Sequence, residues 1–123
     1  LNMDVRWFKS NVAYTMAKYG MSMCTLGMAE ELKRAGIAVN SLWPRTAINT
    51  AALRMLGGAV GPENCRTPDI VADAAHAILR RDSRTCTGNF FLDDEVLTET
   101  GVRDLDRYKV APEGKLFTDF FID

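Results

Sequence analysis

The sequence has few of the features that mark zinc, nucleic-acid-binding or membrane proteins. Its three cysteines, Cys24, Cys65 and Cys86, lie far apart and form no CxxC pair, which argues against a zinc site and fits a reducing compartment. A net charge of −1 predicts no contact with nucleic acid or with an anionic membrane. Apolar runs are short and no secretory signal opens the chain, so we expect no membrane span and an intracellular location.

A glycine-rich phosphate loop is also missing. The stretch GGAVG at 57–61 does not match GxGxxG and follows no predicted strand, so we interpret it as a loop. The chain begins with Leu1, inside what resembles an ongoing structural element, and its 123 residues fit one domain. We therefore expect residues 1–123 to be a partial domain, a fragment that lacks its phosphate loop.

A long helix is predicted from Val12 to Arg34, where helix formers dominate and proline is absent, with Gly36 as its stop. On a helical wheel, apolar residues and a neighbouring stripe of small residues cover most of the circumference. A narrow polar sector remains between them. Such a pattern predicts a helix buried on several sides. The apolar residues of the first stripe are Val12, Met16, Met23 and Leu26; the small ones are Ala13, Ala17, Gly20, Cys24 and Gly27; further apolar residues beyond these, beside Tyr14, are Met21, Met28 and Leu32; the polar ones are Thr15, Lys18, Ser22 and Thr25.

Two strands and further helices follow. Residues 36–44 and 87–93 read as short apolar strands, the first typical of a parallel sheet covered on both faces. A short helix or mobile segment is expected over 46–58, and a clear helix after Thr67 as N-cap and Pro68 as first helical residue. The remainder from 94 predicts a mostly irregular surface tail with one or two short helical turns. The fold class is α/β, the second half of a doubly wound parallel-sheet domain with two strands and about three helices.

Tyr14 and Lys18 form the main chemical candidate. They are four residues apart, one turn on the same helix face. A lysine ammonium that close stabilises a phenolate and lowers the pKa of a tyrosine from about 10. Such a tyrosine can exchange a proton with a carbonyl or alcohol oxygen near neutral pH. Alone the pair is a weak signal, because chance produces it often.

The context around the pair resembles the C-terminal half of a classical short-chain dehydrogenase/reductase. The YxxxK helix is followed by VNSLWP, then INT, and later by TGNFF. The resemblance implies Tyr14 as acid/base, Lys18 as ribose anchor and modulator of the tyrosine, and NAD or NADP as hydride carrier. It also implies cofactor contacts near Asn40, Pro44, Thr46, Ile48 and Thr50. The sequence departs from the family pattern at Pro44-Arg45, where Pro-Gly is usual.

The resemblance further implies a small hydrophobic alcohol or carbonyl substrate and a homo-oligomer, dimer or tetramer. Trp43, Leu53 and Leu56 are candidates for the pocket wall, with simple packing as the alternative. The implied compartment is the cytoplasm in a bacterium and the peroxisome or mitochondrion in a eukaryote. The alternative function is a truncated, catalytically inactive relative that acts in dimerisation or lipid handling.

Neither of the remaining charged features predicts a metal site. His76 points away from the apolar face of its helix, so we interpret it as a surface residue. The acidic run at 93–95 lacks the ligand spacing of a calcium loop and is interpreted as a solvated strand end.

Overall fold

A computed structural model describes residues 1–56, 58 and 60–122, apart from the side chain of Leu56. The loop predicted at 57–61 therefore falls partly outside the described residues. Within them the chain is α/β, with four helices and a parallel two-stranded sheet. The elements are α1 (Val12–Leu32), β1 (Ser41–Trp43), α2 (Ala51–Leu56), α3 (Asp69–Leu79), β2 (Phe90–Leu92) and α4 (Asp93–Glu99). The two predicted strands are confirmed, although each is shorter than expected.

The chain forms two compact units. The first comprises Leu1–Ser41 and Arg81–Phe90, and the second Leu42–Arg80 and Phe91–Asp123. Each is described here by itself.

In the first unit, α1 ends as the sequence predicts. A short 3-10 turn, Lys33–Ala35, follows it, and Gly36 closes the turn with φ of 71°. This left-handed conformation favours glycine, because a Cβ there costs energy. The predicted stop at Gly36 is confirmed.

The buried sector of α1 is the opposite of the predicted one. Thr15, Tyr19, Ser22, Thr25 and Ala29 are buried, whereas the apolar residues of the predicted core stripe are 54–64% exposed, namely Val12, Met16, Met23 and Leu26. Short hydroxyl side chains explain the reversal, since they pack closely while bonding to neighbouring oxygens. Thr15 Oγ1 donates to the Trp7 carbonyl oxygen, and Thr25 Oγ1 lies 2.7 Å from Ser41 Oγ.

The second unit holds the main hydrophobic core. Ile70 and Ala74 of α3 pack with Val96 and Leu97 of α4 and with Tyr108. The tail from 94 is predicted to be mostly irregular and on the surface, with one or two short helical turns. The helical turns are present as α4 and as a 3-10 turn at Asp106–Tyr108. The surface placement is wrong, because Val96, Leu97 and Tyr108 supply core side chains.

Helix α3 begins at Asp69, one residue later than expected. Pro68 is its N-cap and makes no side-chain capping bond. Thr67 does not cap the helix with its hydroxyl, which instead lies 3.0 Å from Asp69 Oδ2. Leu79, at the other end, is 82% exposed and not part of the buried face. His76 is exposed, as predicted.

Candidate active site

Tyr14 and Lys18 face each other on the exposed side of α1. Tyr14 is 49% exposed, and Lys18 Nζ lies 5.5 Å from the centre of its ring. This is within the range, about 6 Å, at which an ammonium and an aromatic ring attract each other. The first unit thus holds the ring and the cation together.

Another tyrosine of the same helix serves packing. Tyr19 is buried, and its hydroxyl donates to the carbonyl oxygen of Asn2. Its ring meets that of Phe8 edge to face, with centroids 5.7 Å apart. Burial raises the pKa of Tyr19, which makes it a poor proton acceptor near neutral pH. Helix α1 therefore presents one tyrosine to solvent and keeps the other inside.

The cofactor candidates Pro44, Thr46, Ile48 and Thr50 lie on one continuous segment of the second unit. We call residues 44–50 the candidate cofactor segment. On one side it pairs with the backbone of Arg66: Arg66 N–H donates to the Ala47 oxygen at 3.0 Å, and Asn49 N–H donates to the Arg66 oxygen at 2.9 Å. On the other side Ala47 N–H donates to the Phe117 oxygen at 2.9 Å. Its backbone is thus fixed from two directions.

The polar side chains of this segment differ in what they contact. Thr46 is buried, and its Oγ1 has no hydrogen-bond partner among the described residues. Thr50 is exposed, and its Oγ1 accepts the N–H of Leu53 at 3.3 Å in the first turn of α2. Only Thr46 therefore offers a buried hydroxyl that still lacks a partner there.

Asn40, in the first unit, uses its amide within the protein. Nδ2 donates to the Cys86 oxygen at 2.9 Å, and Oδ1 accepts the Asn89 N–H at 3.0 Å. These bonds hold two neighbouring stretches of chain together. A cofactor contact for Asn40 stays a prediction.

The pocket candidates are placed unevenly. Trp43 is half-buried and meets Phe121 edge to face, with centroids 5.6 Å apart. Leu53 is half-buried on α2, and the side chain of Leu56 lies outside the described part. Their role in a substrate pocket stays a prediction.

The acidic run at 93–95 is a helix start and not a solvated strand end, so that interpretation is wrong. Asp93 is fully buried and begins α4. Its Oδ1 accepts the N–H groups of Arg45 at 3.0 Å and Asp94 at 2.8 Å. The Arg45 side chain binds Asp94, with Nε 2.6 Å from Oδ2, and also Glu95 Oε1. These residues join the candidate cofactor segment to α4.

Burial dominates the electrostatics of Asp93. Burial raises the pKa of this carboxyl above its ordinary value of 3.8, and the negative charge of Asp94 raises it further. The hydrogen bonds from the backbone N–H groups of Arg45 and Asp94, and the positive charge of Arg66, lower this pKa and so oppose the shift. Arg66 is itself buried, and its Nε and Nη1 have no partner among the described residues. Sequence patterns had singled out neither Arg66 nor this arrangement.

Within the described residues, no group of three or more His, Cys, Asp or Glu side chains could hold a metal ion. No helix described by the structure is both long enough and apolar enough to cross a membrane.

No protein-family profile matches the chain. Curated relatives do match over all 123 residues: hydroxysteroid dehydrogenase-like protein 2 from Xenopus tropicalis is 58% identical, and the protein of that name from Homo sapiens is 52% identical. The chain spans 29% of the length of each of these relatives.

Solved structures agree in fold. A proposed dehydrogenase from Xanthomonas campestris superposes with a TM-score of 0.92 at 46% identity, over 99% of this chain and 44% of its own. A short-chain dehydrogenase homologue from Mycobacterium thermoresistibile gives 0.87 at 44% identity, over 100% and 44%. The resemblance and the α/β fold class are thereby confirmed.

Proposed function

From the premise that this chain is homologous to short-chain dehydrogenases over its whole length, we propose that it carries the acid/base pair of an NAD(P)-dependent oxidoreductase. The reaction interconverts a hydrophobic alcohol and its carbonyl. Tyr14 exchanges the proton, and Lys18 assists it. The observation that carries the proposal is the placement of Lys18 Nζ 5.5 Å from the ring of an exposed Tyr14.

The chemistry of the pair follows from charge and access. A positive charge this close favours the negatively charged form of a phenol. A phenolate that solvent reaches can take the hydroxyl proton of an alcohol as the C–O bond becomes a carbonyl, and the phenol returns that proton in the reverse direction. A bound nicotinamide would accept or supply the hydride. Compared with a whole dehydrogenase domain, residues 1–123 would be the part that follows the phosphate loop.

The candidate cofactor segment fits a nicotinamide in one respect. The Thr46 hydroxyl is buried and lacks a partner among the described residues. A buried hydroxyl is normally paired, and a carboxamide offers both a donor and an acceptor. Pro44, Ile48 and Thr50 would hold the nicotinamide end through the same segment, and Trp43 and Leu53 would contribute apolar wall to a substrate pocket.

The test measures turnover of the protein at its natural length in both directions. Oxidation is followed with 2-octanol and NAD⁺ or NADP⁺, and reduction with 2-octanone and NADH or NADPH. Tyr14→Phe is expected to lower kcat by about 10²- to 10⁴-fold while cofactor affinity stays near that of the parent. Lys18→Met is expected to lower kcat and weaken cofactor binding, and Lys33→Met, an exposed lysine just after α1, serves as the control. Tyr14→Phe with parental turnover would refute the assignment.

A second function, association between copies of the chain, is favoured by the exposed apolar residues of α1. Met16, Met23 and Leu26 are all more than half exposed. A Cβ built on Gly20 or Gly27 would meet nothing within 4 Å. We expect light scattering of the natural-length protein to give a dimer or tetramer, and Met16→Gln with Met23→Gln to shift it toward the monomer. A monomeric parent would contradict this function.

A further inference from the structure

Arg45 is held at its amide, its carbonyl and its side chain. Its N–H donates to Asp93 Oδ1 at 3.0 Å, and its carbonyl oxygen accepts the N–H of Asp119 at 3.0 Å. The guanidinium binds Asp94 through Nε at 2.6 Å and also binds Glu95. Arg45 stands where the resembling family usually has glycine. Its bonds thus make it a junction, which joins the candidate cofactor segment to α4.

The side-chain link is partly shielded from water. The Arg45 side chain is 31% exposed and that of Asp94 is 16% exposed. Ion pairs fully exposed to solvent contribute little, whereas charge-assisted bonds with reduced solvent access are stronger and more directional. The carboxylates also lie in the first turn of α4, where the helix favours negative charge. The start of α4 therefore favours the negative charge of the acidic run in addition to its bonds with Arg45, and the run can orient the guanidinium.

The two ends of the candidate cofactor segment are fixed by different means. Its far end pairs with Arg66 through backbone groups of Ala47 and Asn49, which side-chain substitutions leave in place. Its near end has backbone bonds of its own, such as that from the Asp119 N–H to the Arg45 oxygen, but it also has a side-chain link, from Arg45 to Asp94 and Glu95, that the far end lacks. A change at Arg45 should therefore loosen the near end selectively.

We propose that Arg45 is a positioning residue for the candidate cofactor segment: its bonds to Asp94 and Glu95 hold the backbone from Pro44 to Thr46 in the conformation that binds nicotinamide. This role rests on the proposed function. Arg45 itself need not touch the cofactor, because it acts through the backbone on either side of it.

The test compares three variants of the natural-length protein. Arg45→Met keeps the aliphatic stem and removes the charge, and Arg45→Lys keeps the charge without the two-pronged geometry. Arg103→Met is the matched control, since Arg103 is an exposed arginine of the same unit. Hydrogen exchange of the peptide spanning 44–50 is measured by mass spectrometry in the cofactor-free protein. NADH and NADPH affinity is measured by calorimetry.

Arg45→Met is expected to speed exchange across 44–50 and to weaken cofactor binding about threefold to tenfold. The effect on kcat at saturating cofactor should be smaller. Arg45→Lys should recover part of both losses, because an ammonium can still pair with one carboxylate. Asp94→Asn removes the negative charge on the other side of the link. It should change the hydrogen exchange of 44–50 and the cofactor affinity in the same direction as Arg45→Met.

Exchange and affinity in Arg45→Met that equal those in Arg103→Met overturn the positioning role. So does faster exchange with unchanged affinity, because the segment would then not set cofactor binding. A parent protein that binds neither NADH nor NADPH refutes the proposed function itself, and the positioning role with it.

Discussion

Asp93 gives the sharpest test of the electrostatics in the second unit. Its carboxylate is fully buried and accepts two backbone N–H groups, from Arg45 and Asp94. Replacing it with alanine leaves both donors without that acceptor. An unsatisfied buried donor costs about 1–3 kcal/mol, and removing the buried charge offsets part of this. We therefore expect Asp93→Ala to lower the free energy of unfolding by about 2–4 kcal/mol.

Asp93→Asn should behave differently, because its Oδ1 can still accept both N–H groups. Burial, the largest influence, raises the pKa of Asp93, and the attraction of Arg66 is the smallest of the opposing effects. The folded state therefore binds the proton more tightly than the unfolded state does. The ionised carboxylate then costs stability at every pH above the unfolded pKa, and the cost grows as pH rises through the folded pKa. Asparagine avoids that cost.

The assay is urea unfolding of parent, Asp93→Asn and Asp93→Ala, followed by tryptophan fluorescence between pH 4 and 7. The stability of Asp93→Asn relative to the parent should increase as pH rises from 4, while Asp93→Ala stays the least stable of the three. A relative stability of Asp93→Asn that is flat or falling with pH would refute the reasoning about burial. An asparagine variant as unstable as the alanine variant would refute the role of Oδ1.

Two further predictions concern packing and backbone conformation. Ile70 is fully buried in α3, so Ile70→Ala should lower the free energy of unfolding by about 2–5 kcal/mol. Leu79, at the end of the same helix, is 82% exposed, so Leu79→Ala should change that free energy by under about 0.5 kcal/mol. Equal losses for the two variants in denaturant unfolding would contradict the placement of the core. Gly36→Ala should lower the free energy of unfolding by about 1 kcal/mol because φ is 71° at this position. Gly36→Asn should lower it less, since asparagine tolerates this conformation. A thermal unfolding midpoint that Gly36→Ala leaves unchanged would argue against the left-handed turn.

Local signals in the sequence were enough to predict α1, its stop at Gly36, and the positions of both strands. Each depends on residues close together in the chain: helix formers without proline, a glycine after the last turn, and short apolar runs. The Tyr14–Lys18 arrangement is likewise local, because one helical turn joins the two residues. Such features could be predicted without knowledge of the tertiary structure.

The buried sector of α1 could not be predicted from hydropathy. Thr15, Ser22 and Thr25 count as polar, yet the hydroxyls of Thr15 and Thr25 find partners inside the unit, so burying these two residues costs little. The apolar methionines remain on the outer side. Only the positions of the neighbouring segments, and not the helix sequence, decide which sector faces inward.

The junction at Arg45 was out of reach for a different reason. Arg45 and Asp94 are 49 positions apart, and the local sequence around each residue gives no indication that the other is its partner. Three acidic residues followed by Val96 and Leu97 do match a helix start. The run also directly follows a predicted strand, so the local sequence is compatible with a strand end as well.

Residues 117–119 bear on how this protein should be handled at the bench. Thr118 pairs with Thr46 in an antiparallel bridge, and Asp119 N–H reaches the Arg45 oxygen at 3.0 Å. This stretch therefore holds Arg45 and Thr46 although it lies far from them in the sequence. Any shortened version of the protein that is meant for an assay of cofactor binding should keep residues 117–119.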